Sequence, residues 1–437
     1  MTGKYPIRHG LQYKVIKNGE PRGLSVTEKI FPQYLKELGY STHLIGKWNL
    51  GYYQRRMLPT CRGFDTFFGY HGTSIDYYNY TFLPKDRSYA GFDLWNGTQP
   101  AYEYVGKYAT TAFTEAAVRL IEDQIPTTPM FLYLSHIAPH VASGPDEFPV
   151  PQEYIDRFPH IAHPGRRKYA GMVAALDDSV GAVVQALERK GILNNTVIVF
   201  FSDNGGGAAE QLMFPLNKPS FGSNWPLRGA KNTQFEGGVR VAAVVWSSLL
   251  RKAGRVSTEL YHITDLLPTV TNLAGGAVDS SAGLDGFDVW QSISEDSPSP
   301  RKELLIQTDV TNNEYAFRWK GYKLLKGLYV DKEGRSADDW YEPPGGLNTS
   351  LIVSTPGAIR CESSEIPCDP NLAPCLFDVV VDPCERNNIA ADNPDVVELM
   401  MEKLLAYNST ALPSMFLPND PRAHPGLHGG LMASWEE

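Results

Sequence analysis

The chain has 437 residues, too many for one ordinary core and enough for two packed domains. Apolar residues make up 42% and charged residues 20%, the balance of an ordinary soluble globular protein. The net charge of −9 with no long basic run argues against a nucleic-acid binder, and the lack of any run of about 18 apolar residues argues against a membrane span.

In chain order, residues 25–39 predict a helix: Ser25 or Thr27 caps it, Ile30, Phe31, Leu35 and Leu38 form its apolar face, and Gly39 ends it. Residues 41–48 predict a short strand, 106–124 a helix and 129–136 a buried strand. Residues 167–190 carry Tyr169, Met172, Val173, Leu176, Val180, Val183, Val184 and Leu187 at helical spacing, with Gly191 as the stop. The apolar runs 196–202 and 239–246 read as strands covered on both faces. Residues 261–274 predict a helix. Strands thus alternate with helices to about residue 310, the pattern of a mostly parallel sheet under helices. Beyond it, 315–329 and 375–383 read as short strands among turns and 394–407 as a final helix, which suits a small antiparallel sheet plus helix. The expected division is 1–312 and 313–437.

Cys361, Cys368, Cys375 and Cys384 cluster near the end, and Cys61 stands apart. Four such cysteines bind zinc or form two disulfides. Spacings of seven, seven and nine differ from the Cys-x2–4-Cys of zinc sites and favour disulfides. Asn-x-Ser/Thr sequons begin at Asn79, Asn96, Asn194, Asn348 and Asn408. Together these features suit a lysosomal or secreted protein. MTGKYPIRHG nevertheless lacks the apolar core of a signal peptide, so the chain is expected to be incomplete at its N-terminus.

Five stretches are candidates for chemistry. Asp203-Asn204-Gly205-Gly206 follows a strand, where open α/β sheets bind ligands, and offers the oxygen donors that Ca²⁺ or Mg²⁺ prefers; the competing reading is a plain turn. Lys47, in GKWNLG, and Lys231, in RGAK, can each hold an anion or serve as an ordinary solvated lysine. His136 and His140 are four apart, but Pro139 between them disfavours a zinc-binding helix. A loop histidine acting as acid, base or anion donor is the functional alternative to a structural one. The fifth stretch, HxxDLLPT, contains His262 and Asp265.

The order GKWxLG, loop His after Pro, DNGG, NWPLRGxK…EGGVR and HxxDLLPT resembles the sulfatase family over nearly all of residues 1–310, and CLFDVVVDPCERNNIA (375–390) resembles its small domain. RGFDTFFGY (62–70), SIDYYNY (74–80), LDGFDVW (284–290) and SPSPRKELL (297–305) look like the arylsulfatase B branch. The resemblance implies an alkaline-phosphatase-like α/β fold. It also implies sulfate-ester hydrolysis by a formylglycine made from Cys-x-Pro-x-Arg, one divalent cation, usually Ca²⁺, and a sulfated sugar or aryl sulfate as substrate. By resemblance Asp203 and Asn204 are metal ligands, Lys47 and Lys231 clamp sulfate, and His140 donates near the leaving oxygen. Two departures stand out. No Cys-x-Pro-x-Arg is present, so the nucleophile and the upstream metal ligands are expected to be missing and this chain alone inactive. Asn49 stands where the family usually has His, and Asn cannot exchange a proton near neutral pH. A non-catalytic protein that binds sulfated glycans is the alternative.

Overall fold

The computed structural model describes residues 1–437 apart from 85, 208–219, 311–312, 329–335, 344–345, 347–358 and 362–364. The first helix, α1 (Phe31–Glu37), starts later than its apolar spacing suggests. Pro32 falls in its first turn, and the Gln33 side chain accepts the Ile30 N–H at 2.9 Å, while residues 25–29 form turns. Strand β1 (Ser41–Lys47) follows. It lies between β2 (Thr66–Tyr70) and β7 (Met130–Ser135), parallel to both, with Gly46 opposite Gly69 and Ser135. β3 (Thr81–Phe82) and β4 (Gly91–Phe92) form a small ladder, and β5 (Trp95–Asn96) and β6 (Gln99–Pro100) extend the main sheet antiparallel to the order β6-β5-β2-β1-β7.

Helices cover both faces of this mixed sheet. Ile45 faces a core with Phe113 and Ala117 of α2 (Ala109–Asp123) and Met172 and Ala175 of α4 (Pro164–Arg189), joined by the short α3 (Gln152–Ile155). Leu44, its neighbour on the opposite face, packs with Phe64 and Phe67. Phe131 joins that side to Phe31, Leu35 and Leu267 of α1 and α6 (Leu266–Leu273). Among the described residues α4 is long and apolar enough to cross a bilayer. Its Met172, Ala175, Ala186 and Leu187 are instead buried in protein cores.

The strands at 196–202 and 239–246 differ from expectation. β8 (Ile198–Phe201) and β9 (Ala243–Trp246) pair antiparallel as a separate ladder, with Ile198 opposite Trp246. They are not covered on both faces: Phe200 is 39% and Val244 60% exposed. Among the described residues β7 pairs only with β1 and β8 only with β9. Both rest on one helix layer, where Met130, Leu132 and Ile198 meet Ile121, Ala186 and Leu187.

After α5 (Glu236–Val239) and α7 (Trp290–Glu295), the chain forms a four-stranded antiparallel sheet. Its strands are β10 (Glu303–Asp309), β11 (Glu314–Trp319), β12 (Tyr322–Lys326) and β13 (Cys375–Asp378), backed by α8 (Pro394–Ser409). Tyr5 and Ile7 insert into its core beside Leu305, Phe317, Leu376 and Leu404. Arg8 pairs with Asp285 at 3.0 Å, and the Leu412 N–H donates to Ile7 O at 2.9 Å. Disulfides join Cys361 to Cys384 and Cys368 to Cys375, so the cluster is not a zinc site; Cys61 is a free, exposed thiol. Asn79, Asn96 and Asn194 are exposed, Asn408 accepts the Thr308 hydroxyl at 2.8 Å, and Asn348 lies outside the described residues.

The singly paired edges of β7 and β8 and the bare apolar side of β9 are a template for association. Residues 1–437 are expected to run larger than a monomer in size-exclusion chromatography with light scattering, and Val244→Lys with Trp246→Lys to shift the profile toward monomer. A monodisperse monomer that binds no hydrophobic dye contradicts this.

Candidate active site

Lys47 is the last residue of β1. Glycine precedes it because the strands converge there: a Cβ on Gly46 would lie 1.9 Å from Ser135 O, and one on Gly69 1.9 Å from Gly46 O. The close approach brings the ends of β1, β2 and β7 together, with Lys47 half-buried at their shared end.

Asp203 lies within electrostatic reach of Lys47, Lys231 and His140, and these four groups mark out a recess. Asp203 and Asn204 follow β8. Their loop is stapled to the turn that carries Lys231. A Cβ on Gly205 would lie 1.8 Å from Gly237 O, the Gly205 N–H donates to Gly238 O at 2.9 Å, and the Lys231 N–H donates to Gly206 O at 3.0 Å. Asn224 closes the staple. Its side-chain oxygen accepts the Gly206 N–H at 2.8 Å, and its amide donates to Gly206 O at 2.9 Å and Gly229 O at 3.2 Å. Asn224 was not singled out from sequence, although it lies inside SNWPLRG.

His140 completes the group. Its Nδ1–H donates to Val141 O at 2.8 Å, a carbonyl that can only accept, which leaves Nε2 as the basic nitrogen. The Tyr77 hydroxyl holds its backbone by donating to His140 O at 2.8 Å.

The four charges act on one another. Lys47 is lowered to about 8, mainly by desolvation and further by repulsion from Lys231, with Asp203 opposing. Lys231 is lowered by desolvation against the pull of Asp203. His140 is lowered to about 4 by desolvation and then by both lysines, so it is neutral near pH 7. Desolvation raises Tyr70 and Tyr133, and the charge of Asp203 adds to both.

Other candidates lie elsewhere. The His136 Nε2 meets the Ser179 hydroxyl at 2.9 Å, and burial lowers that ring to about 4. His262 and Asp265 serve the framework: Asp265 accepts Arg301 Nε at 2.9 Å, and His262 contacts the Thr264 hydroxyl. Asn49 lies beside Lys47 in the left-handed region, φ 48°, its N–H donating to His71 O at 3.1 Å.

Asp203 and Asn204 provide two oxygen donors, and among the described residues no group of three or more His, Cys, Asp and Glu surrounds a common point. That is too few for Ca²⁺, which takes about six to eight oxygens. These residues alone do not fit the cation, and no step is drawn through it.

The family profile described as Sulfatase matches residues 1–277, more than half of the chain. The chain belongs to the sulfatase family. Arylsulfatase J of Mus musculus is 36% identical over 454 residues, covering 100% of this sulfatase chain and 71% of that protein. N-acetylgalactosamine-6-sulfatase of Mus musculus is 30% identical, covering 66% of this chain and 54% of that one, so the chain spans about half the length of that relative. The crystal structure of Ps i-CgsB in complex with k-i-k-neocarrahexaose shares the fold, with a TM-score of 0.72, 24% identity and coverage of 98% of this chain and 85% of that one. The proteins named as sulfatases are sulfuric ester hydrolases.

With Lys47 at about 8, the recess loses positive charge as pH rises through that value. Affinity for inorganic sulfate, read by calorimetry, is expected to be flat from pH 6 to 7 and to fall by up to about tenfold per unit above pH 8. Lys47→Arg should move that fall to higher pH.

Proposed function

We propose that this sulfatase-family chain takes the sulfate group of a sulfated carbohydrate between Lys47, Lys231 and His140, within a sulfuric ester hydrolase of the arylsulfatase B type. One feature carries the reading: Lys47, Lys231 and His140 all lie within electrostatic reach of a single carboxylate, Asp203, and His140 within reach of both lysines. A dianionic or monoanionic oxyanion relieves that repulsion where an uncharged ligand does not. The neocarrahexaose complex of the Ps i-CgsB relative supports a carbohydrate carrier for the sulfate.

The lysines neutralise sulfate oxygens, and their charge counts for most where charge shifts among those oxygens during ester cleavage. A bound anion raises the His140 pKa, converting Nε2 from acceptor to donor toward the ester oxygen. Asp203 and Asn204 are the proposed ligands that this chain contributes to a divalent cation, Ca²⁺ by family usage. No Cys-x-Pro-x-Arg occurs in the 437 residues, and the exposed Cys61 lies in Leu-Pro-Thr-Cys-Arg, so residues 1–437 contain no formylglycine precursor. Two disulfides and the exposed sequons at Asn79, Asn96 and Asn194 support a lysosomal or secreted location.

Asn49 favours a second reading, a protein that binds sulfated glycans without turning them over. Hydrolysis of 4-methylumbelliferyl sulfate by the protein isolated from its source separates the two, alongside mass spectrometry for a formylglycine peptide. Turnover with that peptide present establishes the hydrolase; saturable binding of sulfated oligosaccharide without turnover establishes the binder. In either case Lys47→Met and Lys231→Met are each expected to weaken binding about tenfold or more. Unchanged affinity in both variants overturns the assignment of the recess.

A further inference from the structure

Lys231 is presented by residues 228–240, and most of what holds those residues comes from the C-terminal sheet. Phe235 packs with Leu325, Cys375 and Phe377. Arg228 donates Nε–H to Asp338 O at 2.8 Å and lies between the rings of Phe235 and Trp340. The Trp340 indole donates to Cys384 O at 2.8 Å, beside the Cys361–Cys384 disulfide. At the centre is a buried ionic node. Lys323 of β12 lies 3.0 Å from Glu236 Oε1 and 2.9 Å from Glu385 Oε1, and the Glu236 N–H donates to Glu385 Oε2 at 2.6 Å. All three side chains are buried. Desolvation makes such a node expensive unless each partner stays in place, so it tolerates little displacement. Glu236 lies five residues after Lys231 at the other end of the turn, whose Gly237 N–H returns to Arg228 O at 2.6 Å.

We propose that Lys323 and Glu385 are positioning residues for Lys231, fixing from the C-terminal sheet the turn that aims its ammonium group into the recess. The inference rests on the sulfate-binding reading of that recess. The charged groups facing Glu385 are Lys323 of β12, Glu236 of α5 and Arg228 of the turn; Arg318 of β11 acts on it as well, and Arg240 acts on Glu236. Burial, with the charge of Glu236 adding, raises Glu385 to about 7, while Glu236 stays ionised opposite Lys323. Glu385→Gln therefore resembles the acid form and keeps an acceptor for the Glu236 N–H. Glu385→Ala removes the acceptor and leaves Lys323 paired with Glu236.

The experiment compares hydrogen exchange of the full chain with its affinity for 4-methylumbelliferyl sulfate, in Lys323→Met, Glu385→Ala and Glu385→Gln, each with and without Lys231→Met. Lys323→Met and Glu385→Ala are expected to speed exchange at 228–238 by about tenfold or more. They should weaken binding about tenfold when Lys231 is present and less than about twofold when it is Met. Glu385→Gln should restore both. If Lys323→Met melts as a whole, the Glu385 pair carries the same comparison. Unchanged exchange at 228–238 overturns the proposal, as does an equal loss of affinity with and without Lys231. Faster exchange, with Lys231→Met itself leaving affinity unchanged, overturns the sulfate reading and retains the mechanical link.

Discussion

Like charges must be held together against their own repulsion for this recess to exist. Lys231 adds to the desolvation that lowers Lys47, and both lysines lower His140, while Asp203 opposes all three shifts and the Val141 carbonyl also supports His140. No side chain in solution would adopt that arrangement, so the cost falls on the framework. Each member is accordingly anchored by backbone. Lys47 ends a strand locked by glycine contacts to both neighbours, and Lys231 hangs on Gly206 O. His140 is tied to Val141 and Tyr77. Under the proposed sulfate-binding reading, such anchoring leaves little reorganisation to be done when the anion arrives.

The anchors come from three separate parts of the fold. The main sheet supplies Lys47, the β8 ladder supplies Asp203 and Asn204, and the C-terminal sheet holds the Lys231 turn. Asn224, the Gly205–Gly237 contact and the backbone bonds from Gly205 to Gly238 and from Lys231 to Gly206 pin the second and third together, and the close approach accounts for the glycines at 205 and 237. A side chain at Gly205 or Gly237 would push the loop of Asp203 and Asn204 away from the turn that carries Lys231.

Local rules made much of this legible. Helical spacing located α4, an apolar run located β7, residues 41–48 and 394–407 read as the strand and helix that form β1 and α8, and cysteine spacing favoured the two disulfides over a zinc site. Lys47, Asp203, His140 and Lys231 each carried an ordinary alternative locally, and it was the order of their motifs, through the family resemblance, that singled them out together. What stayed hidden was what depends on distant partners. The run 196–202 is apolar enough for a doubly covered strand, yet burial depends on its neighbours, and β8 and β9 expose one side. The helix spacing from 25 could not show that the Gln33 side chain would close the N-terminus at Ile30. Lys323 and Glu385 look like ordinary surface residues, because nothing in a local window shows that Glu236 meets them 87 and 149 residues away.

The opening residues sit inside the closing sheet. Tyr5 and Ile7 find their partners on β10, β11, β13 and α8, and the Arg8–Thr410 contact spans 402 positions. A ribosome therefore exposes this apolar N-terminal segment long before its binding surface has been synthesised. Closing so long a loop is entropically slow, and high contact order delays the transition state until nearly the whole chain is available. The segment around Tyr5 and Ile7 therefore cannot be buried in its final place until residues out to Leu404 are available, and until then its apolar side chains are open to misassociation.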